Sequence, residues 1–548
     1  MTPTRAAARD GPRVLLLWPG GLLRSGANFG VPALLGMAGL LRKRLDATVD
    51  VVDLDMERAF GPVDLGAIAR RGYDLCGIAC YSSYDYLKVM AVAAALRAEL
   101  PEAVFVAGGY HPSAVPADFT GEGSPFDYVV VGDGEAPLCA LLEQLGQGRR
   151  PSERVLGPEP WTDLDGLPPY DWSLLERYRP VARQRASQAE IYLSRGCPHQ
   201  CAFCMERAKG ESAWRAFSPE RAVAELRRLD RFLDLSQWTL FVADAVFGLR
   251  PSWRREVLAE LGRAPLRARK IWLLTRVDGL ERIDLELMAR ANVALGFGLE
   301  SGDPAMLAQI HKAGDAASYL ERMTEVARWA VELDLPFGAN VIVGHPGETE
   351  QSLTTSAAYL RRLFLEQGGA KTGFLSVDPF RLYPGSTIAV ERAAWERATG
   401  MRAHRYPWWH DGDQDFLAEW LSPSADLGFR RTLTLRRQLF DPLLLEIPRQ
   451  FSYLGPGADY FQRALDEQVR LTRPQQYLHT LGMWHLWREL GRSDDASDAP
   501  PDDGPVSVAD DDELAELSRA ARDDTLARRR WPAPGPVLAA LRDVPRER

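Results

Sequence analysis

The segment Ser194-Arg-Gly-Cys-Pro-His-Gln-Cys-Ala-Phe-Cys204 sets the terms for the rest of the chain. It spaces three cysteines, Cys197, Cys201 and Cys204, as C-x3-C-x2-C. A tight loop with that spacing aims three thiolates at one cubane. Iron–sulfur clusters normally take four cysteines, so three leave one iron open to a substrate or cofactor. The competing reading is a zinc site completed by His199, or three unrelated cysteines. Lying second-next to both Cys197 and Cys201, His199 would strain a tetrahedral site.

Outward from this loop, residues 186–390 alternate strand and helix six times. The expected strands are Ile191–Ser194, Trp238–Val242, Ile271–Thr275, Ala294–Leu299, Phe337–Val343 and Gly373–Pro379. Helical periods fill the gaps at Pro219–Leu233, Trp253–Leu261, Leu285–Ala291, Tyr319–Leu333 and Leu353–Leu365. Six βα units are too few for a closed eight-stranded barrel. They predict a partial (β/α)6 barrel, with its site at the carboxyl ends of the strands and the cysteine loop after the first.

Residues 1–150 show a second alternation. Val14–Trp18, Val49–Leu54, Leu75–Cys80, Val104–Ala107 and Tyr128–Val131 read as buried strands, Pro32–Arg42 and Tyr86–Leu100 as helices. This is the pattern of a doubly wound parallel sheet, Rossmann-like, so the whole is an α/β chain. Ligands of that class bind beyond the strand ends. Three loops fall there: Tyr81-Ser82-Ser83, Gly108-Gly109-Tyr110-His111 and Gly132-Asp133-Gly134-Glu135. Glycine at such places lets backbone approach a large flat ligand.

These motifs carry a resemblance. The cysteine loop, with Phe203 before its last cysteine, resembles that of radical S-adenosylmethionine (SAM) enzymes. The GGYHP and VVVGDGE loops resemble the cobalamin-binding domain that precedes many such barrels. The resemblance implies three cofactors: a [4Fe-4S] cluster on Cys197, Cys201 and Cys204, SAM, and cobalamin. It implies SAM contacts from Phe203, Asp244, Arg276, Glu300, Ser301 and the Gly344 turn. It implies cobalamin contacts from Tyr81, Ser82, Ser83, Gly108, Gly109, Tyr110, His111, Gly132, Asp133, Gly134 and Glu135. The D-x-H-x-x-G motif that supplies a lower histidine ligand is absent, so the cobalt is expected to lack one, and the place of His111 in the family pattern implies a structural role in its loop.

The implied activity is C-methylation of an unactivated carbon in a specialised-metabolite precursor, through a 5′-deoxyadenosyl radical and methylcobalamin. The same layout also serves rearrangements and cyclisations. A tRNA methylthiotransferase would need three more patterned cysteines and a basic C-terminal module. A non-enzymatic metal- or cobalamin-binding regulator is the remaining class. Expected partners are a small-molecule or peptide substrate and an electron donor such as flavodoxin or ferredoxin, with the protein a monomer.

Composition narrows the field. Of 548 residues 46% are hydrophobic, enough for large cores, and the formal net charge is −9. The acidic run Asp494–Glu513 accounts for all of that charge, so no basic surface for nucleic acid is expected. No apolar run of about 18 residues suggests a membrane span. The chain has six cysteines, and Cys76, Cys80 and Cys139 sit in apolar surroundings that mark them as core. A reducing cytoplasmic setting is expected. Residues 151–185, rich in proline and aromatics, read as a semi-rigid linker. Residues 391–490 read as a helical, aromatic-rich cap over the barrel mouth, with Trp408-Trp-His-Asp411 its most unusual stretch. Residues 491–548 read as a disordered acidic tail with a short helix at Leu514–Arg530.

Overall fold

The computed structural model describes residues 11–20, 27–210, 212–403, 406–410 and 421–472. The Leu514–Arg530 helix, the acidic run, Asp411, Trp420, Trp484 and Trp487 lie outside these residues. Thirteen strands build two parallel sheets: β1 (Arg13–Trp18), β2 (Ala27–Phe29), β3 (Thr48–Asp53), β4 (Leu75–Ala79), β5 (Val104–Gly108), β6 (Tyr128–Val130), β7 (Val155–Leu156), β8 (Ala186–Ile191), β9 (Thr239–Val242), β10 (Lys270–Thr275), β11 (Val293–Glu300), β12 (Phe337–Val343) and β13 (Gly373–Pro379).

The first sheet has the order β3-β1-β4-β5-β6-β7. Its strands read as apolar runs because helices cover both faces. Leu16 and Val106 belong to one buried cluster, and Leu15, Leu17 and Phe105 to another. The chain leaves β1 towards one edge and β4 towards the other, so the crevice at the switch point lies between their carboxyl ends.

The second sheet has the order β13-β12-β11-β10-β9-β8-β2. Six strands are those the sequence predicts, with one shift. The first spans Ala186–Ile191 and ends where the apolar pattern makes it begin. Gln188 and Glu190 hide it from a hydropathy reading because they lie on the opposite face from Ala189, which is fully buried in the core. The seventh strand, β2, comes from the amino-terminal region and pairs parallel with β8, Asn28 beside Gln188. With β7 joining the first sheet, the chain crosses a boundary at residue 150 twice.

The linker is part of the core. Leu164, Leu167, Tyr170, Trp172, Leu175 and Tyr178 are buried in the same cluster as both sheets. Beyond 391 the helices Phe429–Gln450 and Ala458–Leu471 pack against β13. The second helix begins beside the amino-terminal end of β10, where Asp459 pairs with Arg269 and Tyr460 and Phe461 pack on Trp272. Tyr460 donates to Gln188 on β8 at 3.1 Å, and Gln468 donates to Ser376 on β13 at 3.3 Å. Between these tethers it buries Phe461 and Leu465, each worth about 1.5–3 kcal/mol of burial. No described helix is long and apolar enough to cross a membrane.

Candidate functional site

The cysteine loop leaves β8 at Ile191 and is tied off at its base. Ser194–Arg195 pairs antiparallel with Arg215–Ala216. Asp244, after β9, accepts from the Leu193 N–H at 2.8 Å, the Ser194 N–H at 3.1 Å and the Ser194 hydroxyl at 2.6 Å. Its burial raises its pKa to about 6. Higher in the loop, Ala202 donates to the Ile310 carbonyl and accepts from Ile388 N–H. These bonds fix a backbone that has no regular structure of its own.

Cys197 and Cys204 lie close enough to Cys201 to feel its charge. Burial, with lesser contributions from Cys201 and Cys197, pushes Cys204 up to about 12, and burial also raises Cys197. All three are free of disulfides, and the Arg276 guanidinium lies 3.9 Å from the Cys201 sulfur. Cys197 and Cys204, buried where burial disfavours their thiolates, suit a cationic centre that deprotonates its thiol ligands outright. Among the described residues no three His, Cys, Asp or Glu side chains could hold a single metal ion. His199, the would-be zinc ligand, has no partner at its Nε2, and burial together with Arg276 lowers its pKa to about 4. The donor set therefore fits a three-cysteine cubane better than a mononuclear site.

The other strand ends converge on this loop. Arg276, after β10, is clamped by Asp278 through Nε at 3.0 Å and Nη2 at 2.6 Å, and it donates to the Lys312 carbonyl. Glu300 ends β11 on a bulge with φ of +69°, a left-handed conformation that costs a non-glycine residue of order 1–3 kcal/mol. Its carboxylate pairs with the buried Lys312 ammonium at 3.1 Å. Nothing in Ile310-His-Lys-Ala-Gly314 singles out Lys312 from sequence; only the fold brings it to Glu300. Ser301 is buried, and its hydroxyl accepts from Asp303 N–H, while Asp303 caps the next helix as its position before Pro304 suggests.

The Gly344 turn, with φ of +95°, is closed by Glu348, which accepts the Gly344 N–H. Burial raises Glu348 to about 8. His345 is fully buried between Phe203 and Phe380, each 5.3 Å away, with no partner at either ring nitrogen. Burial lowers its pKa to about 3, so the ring is neutral.

The three glycine and serine loops of the first sheet separate into different roles. Tyr81 and Tyr110 face the crevice, ring centroids 5.1 Å apart and edge-on. Gly109 has a φ of +118°, and a Cβ there would meet the Cys80 carbonyl oxygen at 2.5 Å, so the position calls for glycine on both counts. Ser82 caps its own turn, and Ser83 bonds His111 Nδ1 at 2.7 Å. His111 is wholly buried and spends its Nε2 on Asp118 at 3.1 Å. Both ring nitrogens are thus engaged in holding the loop. Gly132 donates to Ser113, and Gly134 packs against Met37. Asp133 and Glu135 turn towards the barrel: Arg195 pairs with both, at 3.2 and 2.6 Å, and Arg215 with Asp133 at 2.7 Å. A second link joins Tyr110 to Glu206, two residues past Cys204, with Lys209 bridging to Glu206 at 3.1 Å.

Trp408-Trp-His410 docks on the first sheet. Trp408 donates to the Leu382 carbonyl at 3.2 Å. Trp409 and His410 bond Asp118 at 2.6 and 3.0 Å. Both indoles join the cluster that contains Phe105 and Phe119. The two rings are buried with their N–H groups paired, Trp408 to the Leu382 carbonyl and Trp409 to Asp118, which also bonds His410 and His111.

Family comparison agrees with this geometry. The Radical SAM superfamily model matches residues 191–360, and the B12 binding domain model matches residues 33–142. The chain belongs to the cobalamin-dependent radical SAM enzymes, with an amino-terminal B12-binding domain and a radical SAM domain. Its cofactors are cobalamin, SAM and a [4Fe-4S] cluster.

Among curated relatives, hopanoid C-3 methylase of Methylococcus capsulatus is 26% identical over 376 residues, 60% of this chain and 70% of its own length. The 2-(S-pantetheinyl)-carbapenam-3-carboxylate methyltransferase of Streptantibioticus cattleyicolor is 30% identical over 277 residues, 45% of this chain and 38% of its own. The cobalamin-dependent radical enzyme OxsB, solved with aqua-cobalamin, superposes with a TM-score of 0.61 over 97% of this chain and 84% of its own. At 13% identity this likeness shows the fold.

Proposed function

We propose that the protein is a radical SAM C-methyltransferase that methylates an unactivated carbon of a small specialised-metabolite precursor. The observation that carries this is the stitching of the two sheets across one crevice. Tyr110 after β5 and Glu135 after β6 reach Glu206 and Arg195 on either side of the three cysteines. A B12 domain locked this closely to a radical SAM barrel suits two reactions at one substrate. The matched relatives whose names are methylases or methyltransferases support the same reading.

Cys197, Cys201 and Cys204 would hold the cluster, Phe203, Arg276, Glu300, Ser301 and the Gly344 turn would surround SAM, and the Tyr81, Gly108 and Gly132 loops would seat cobalamin. Together these groups supply a carbon radical and a methyl group. The chain's own work is placement. Asp244 and the Ala202 backbone hold the cysteine loop still. Lys312 keeps the strained Glu300 carboxylate oriented at the end of β11. The helix Ala458–Leu471 braces the barrel strands, with Tyr460 and Phe461 on Trp272 and Gln468 on Ser376. Asp133, Glu135, Arg195 and Arg215 fix the distance between the domains. No acid–base pair on the substrate is required. A flavodoxin- or ferredoxin-type donor would deliver electrons to the cysteine loop.

The test is anaerobic reconstitution with iron, sulfide and hydroxocobalamin, then incubation with SAM and a strong reductant. The expected products are 5′-deoxyadenosine and, even without substrate, S-adenosylhomocysteine approaching one equivalent per bound corrin. Deoxyadenosine with no S-adenosylhomocysteine would remove the methyl step. With substrate, a product heavier by one methylene unit is expected; an unchanged carbon count would indicate rearrangement or cyclisation instead.

A further inference from the structure

The barrel strands enclose a chamber that the cofactor residues leave unused. On the face turned to the helices, Ala189, Leu273 and Ala339 are closed to solvent. On the opposite face Glu190, Phe241, Leu274, Gly298, Asn340 and Ser376, one from each strand of β8 to β13, stay partly accessible. Successive strand residues point to opposite faces, so a ring of accessible positions on the inner face marks open space in the lumen. Its floor is aromatic. Trp272 on β10 and Phe374 on β13 stack at 5.7 Å, with Phe461 against both. They meet across bare backbone: a Cβ on Gly296 would lie 2.7 Å from Trp272, and one on Gly338 would lie 2.6 Å from Phe374. The cysteine loop lies at the other end, beyond β8.

Two hydrogen-bonded chains run along the chamber wall, and each ends on a carboxylate. On one side Tyr460 donates to Gln188 at 3.1 Å, Gln188 to Asn28 at 2.7 Å, and Asn28 to Glu190. On the other, Gln468 donates to Ser376 at 3.3 Å and Ser376 to Asp378 at 2.6 Å. The Oε1 of Gln468 is a buried acceptor with no donor. Among the described residues neither Glu190 nor Asp378 has an ion pair. The cations nearby are already matched, Arg276 by Asp278 and Lys312 by Glu300. A carboxylate drawn partly out of water without a counter-charge is costly, and a bound cation offsets that cost. Among the described residues no three side chains gather to hold a metal ion. An ammonium group, which only donates, suits a carboxylate beside an open amide carbonyl.

We propose that the substrate is an elongated polyamine-type cation lying across this chamber, with one protonated amine on Glu190 and another on Asp378. The spacing follows from the helix that anchors both chains: Tyr460 and Gln468 stand about 12 Å apart along it. The carbons between the amines then lie over the aromatic floor, facing the cysteine loop. This deepens the methyltransferase reading and rests on it for the reaction that follows binding.

The experiment uses the full chain, reconstituted with its cofactors, in isothermal titration against three probes of equal length: octamethylenediamine, octamethylene glycol and suberic acid. The diamine is expected to bind at least about tenfold more tightly than the glycol, the worth of one charge-assisted hydrogen bond, and the diacid not at all. Glu190→Gln and Asp378→Asn should each weaken the diamine about tenfold. Glycol or diacid binding as tight as the diamine overturns the proposal, and so does a wild-type protein that binds no diamine. Diamine affinity unchanged in both variants also overturns it, because the probe then sits elsewhere. If neither variant folds, judged by far-ultraviolet circular dichroism, the ranking of the three probes on wild type decides alone. S-adenosylhomocysteine formation without substrate, in the same preparation, keeps the two readings apart. Its presence with no diamine binding sinks the polyamine alone; its absence with tight diamine binding sinks the methyl step and leaves the chamber's ligand class standing.

Discussion

Asp118 is where the carboxy-terminal region meets the first sheet, and removing its carboxylate should loosen that junction more than any nearby surface change. It accepts from Trp409 Nε1 at 2.6 Å, bonds His410 at 3.0 Å and bonds His111 at 3.1 Å. In Asp118→Ala the Trp409 and His111 groups stay buried without a partner, at about 1–3 kcal/mol each. His410, about one-third exposed, can turn to water and adds little. With the small cavity left behind, the expected loss is about 3–5 kcal/mol, the range seen when one partner of a buried charged cluster is removed. Asp118→Asn keeps one acceptor and should lose about half of that. Urea unfolding followed by tryptophan fluorescence measures both.

The pH dependence has a definite sign. Burial pushes the Asp118 carboxyl up, but bonds from His111 and His410 outweigh it and hold the group well below the usual carboxylate range. A depressed acid contributes stability above its unfolded pKa of about 3.9 and loses it only in stronger acid. His111 is lowered by burial, so the folded protein resists charging it. Stability should therefore fall as pH drops below about 6.5. The fall should be larger in Asp118→Ala, which lacks the neighbour that favours the proton. A loss under about 1 kcal/mol, or an acid limb no deeper than in wild type, would refute this account of the junction.

Single Cys197→Ser, Cys201→Ser and Cys204→Ser substitutions should each abolish the visible absorbance of the reconstituted cluster and SAM cleavage, while far-ultraviolet circular dichroism stays unchanged. Lys312→Met should cost about 3–5 kcal/mol by stranding the buried Glu300 carboxylate. Lys312→Met/Glu300→Gln should recover most of it, and a double-mutant cycle under urea reads the coupling. Glu348, raised by burial to about 8, has the opposite sign from Asp118: its stability is full below about pH 4.3 and is lost as pH rises through 8. Glu348→Gln should thus match wild type in melting temperature at pH 5 and exceed it at pH 9.

Much of the architecture was legible in the order of residues. The spacing of Cys197, Cys201 and Cys204 and the two strand–helix alternations depend on local periodicity, which a chain displays wherever a segment has one buried face. Five of the six predicted barrel strands keep their places to within a residue or so. Other features have no local mark. Asn28 enters the barrel sheet beside Gln188 because an edge strand takes whatever backbone the fold delivers to it. Gln188 and Glu190 conceal the start of β8 because polar residues facing a lumen look like loop in one dimension. Trp409 and Asp118 are 291 residues apart, and each would be costly to bury alone. Lys312 and Glu300 are likewise ordinary until the bulge at the end of β11 turns one towards the other. Sequence established which faces are apolar and which loops carry thiols and glycines. Only the tertiary structure settled which buried polar groups meet, since that depends on partners the chain supplies from far away.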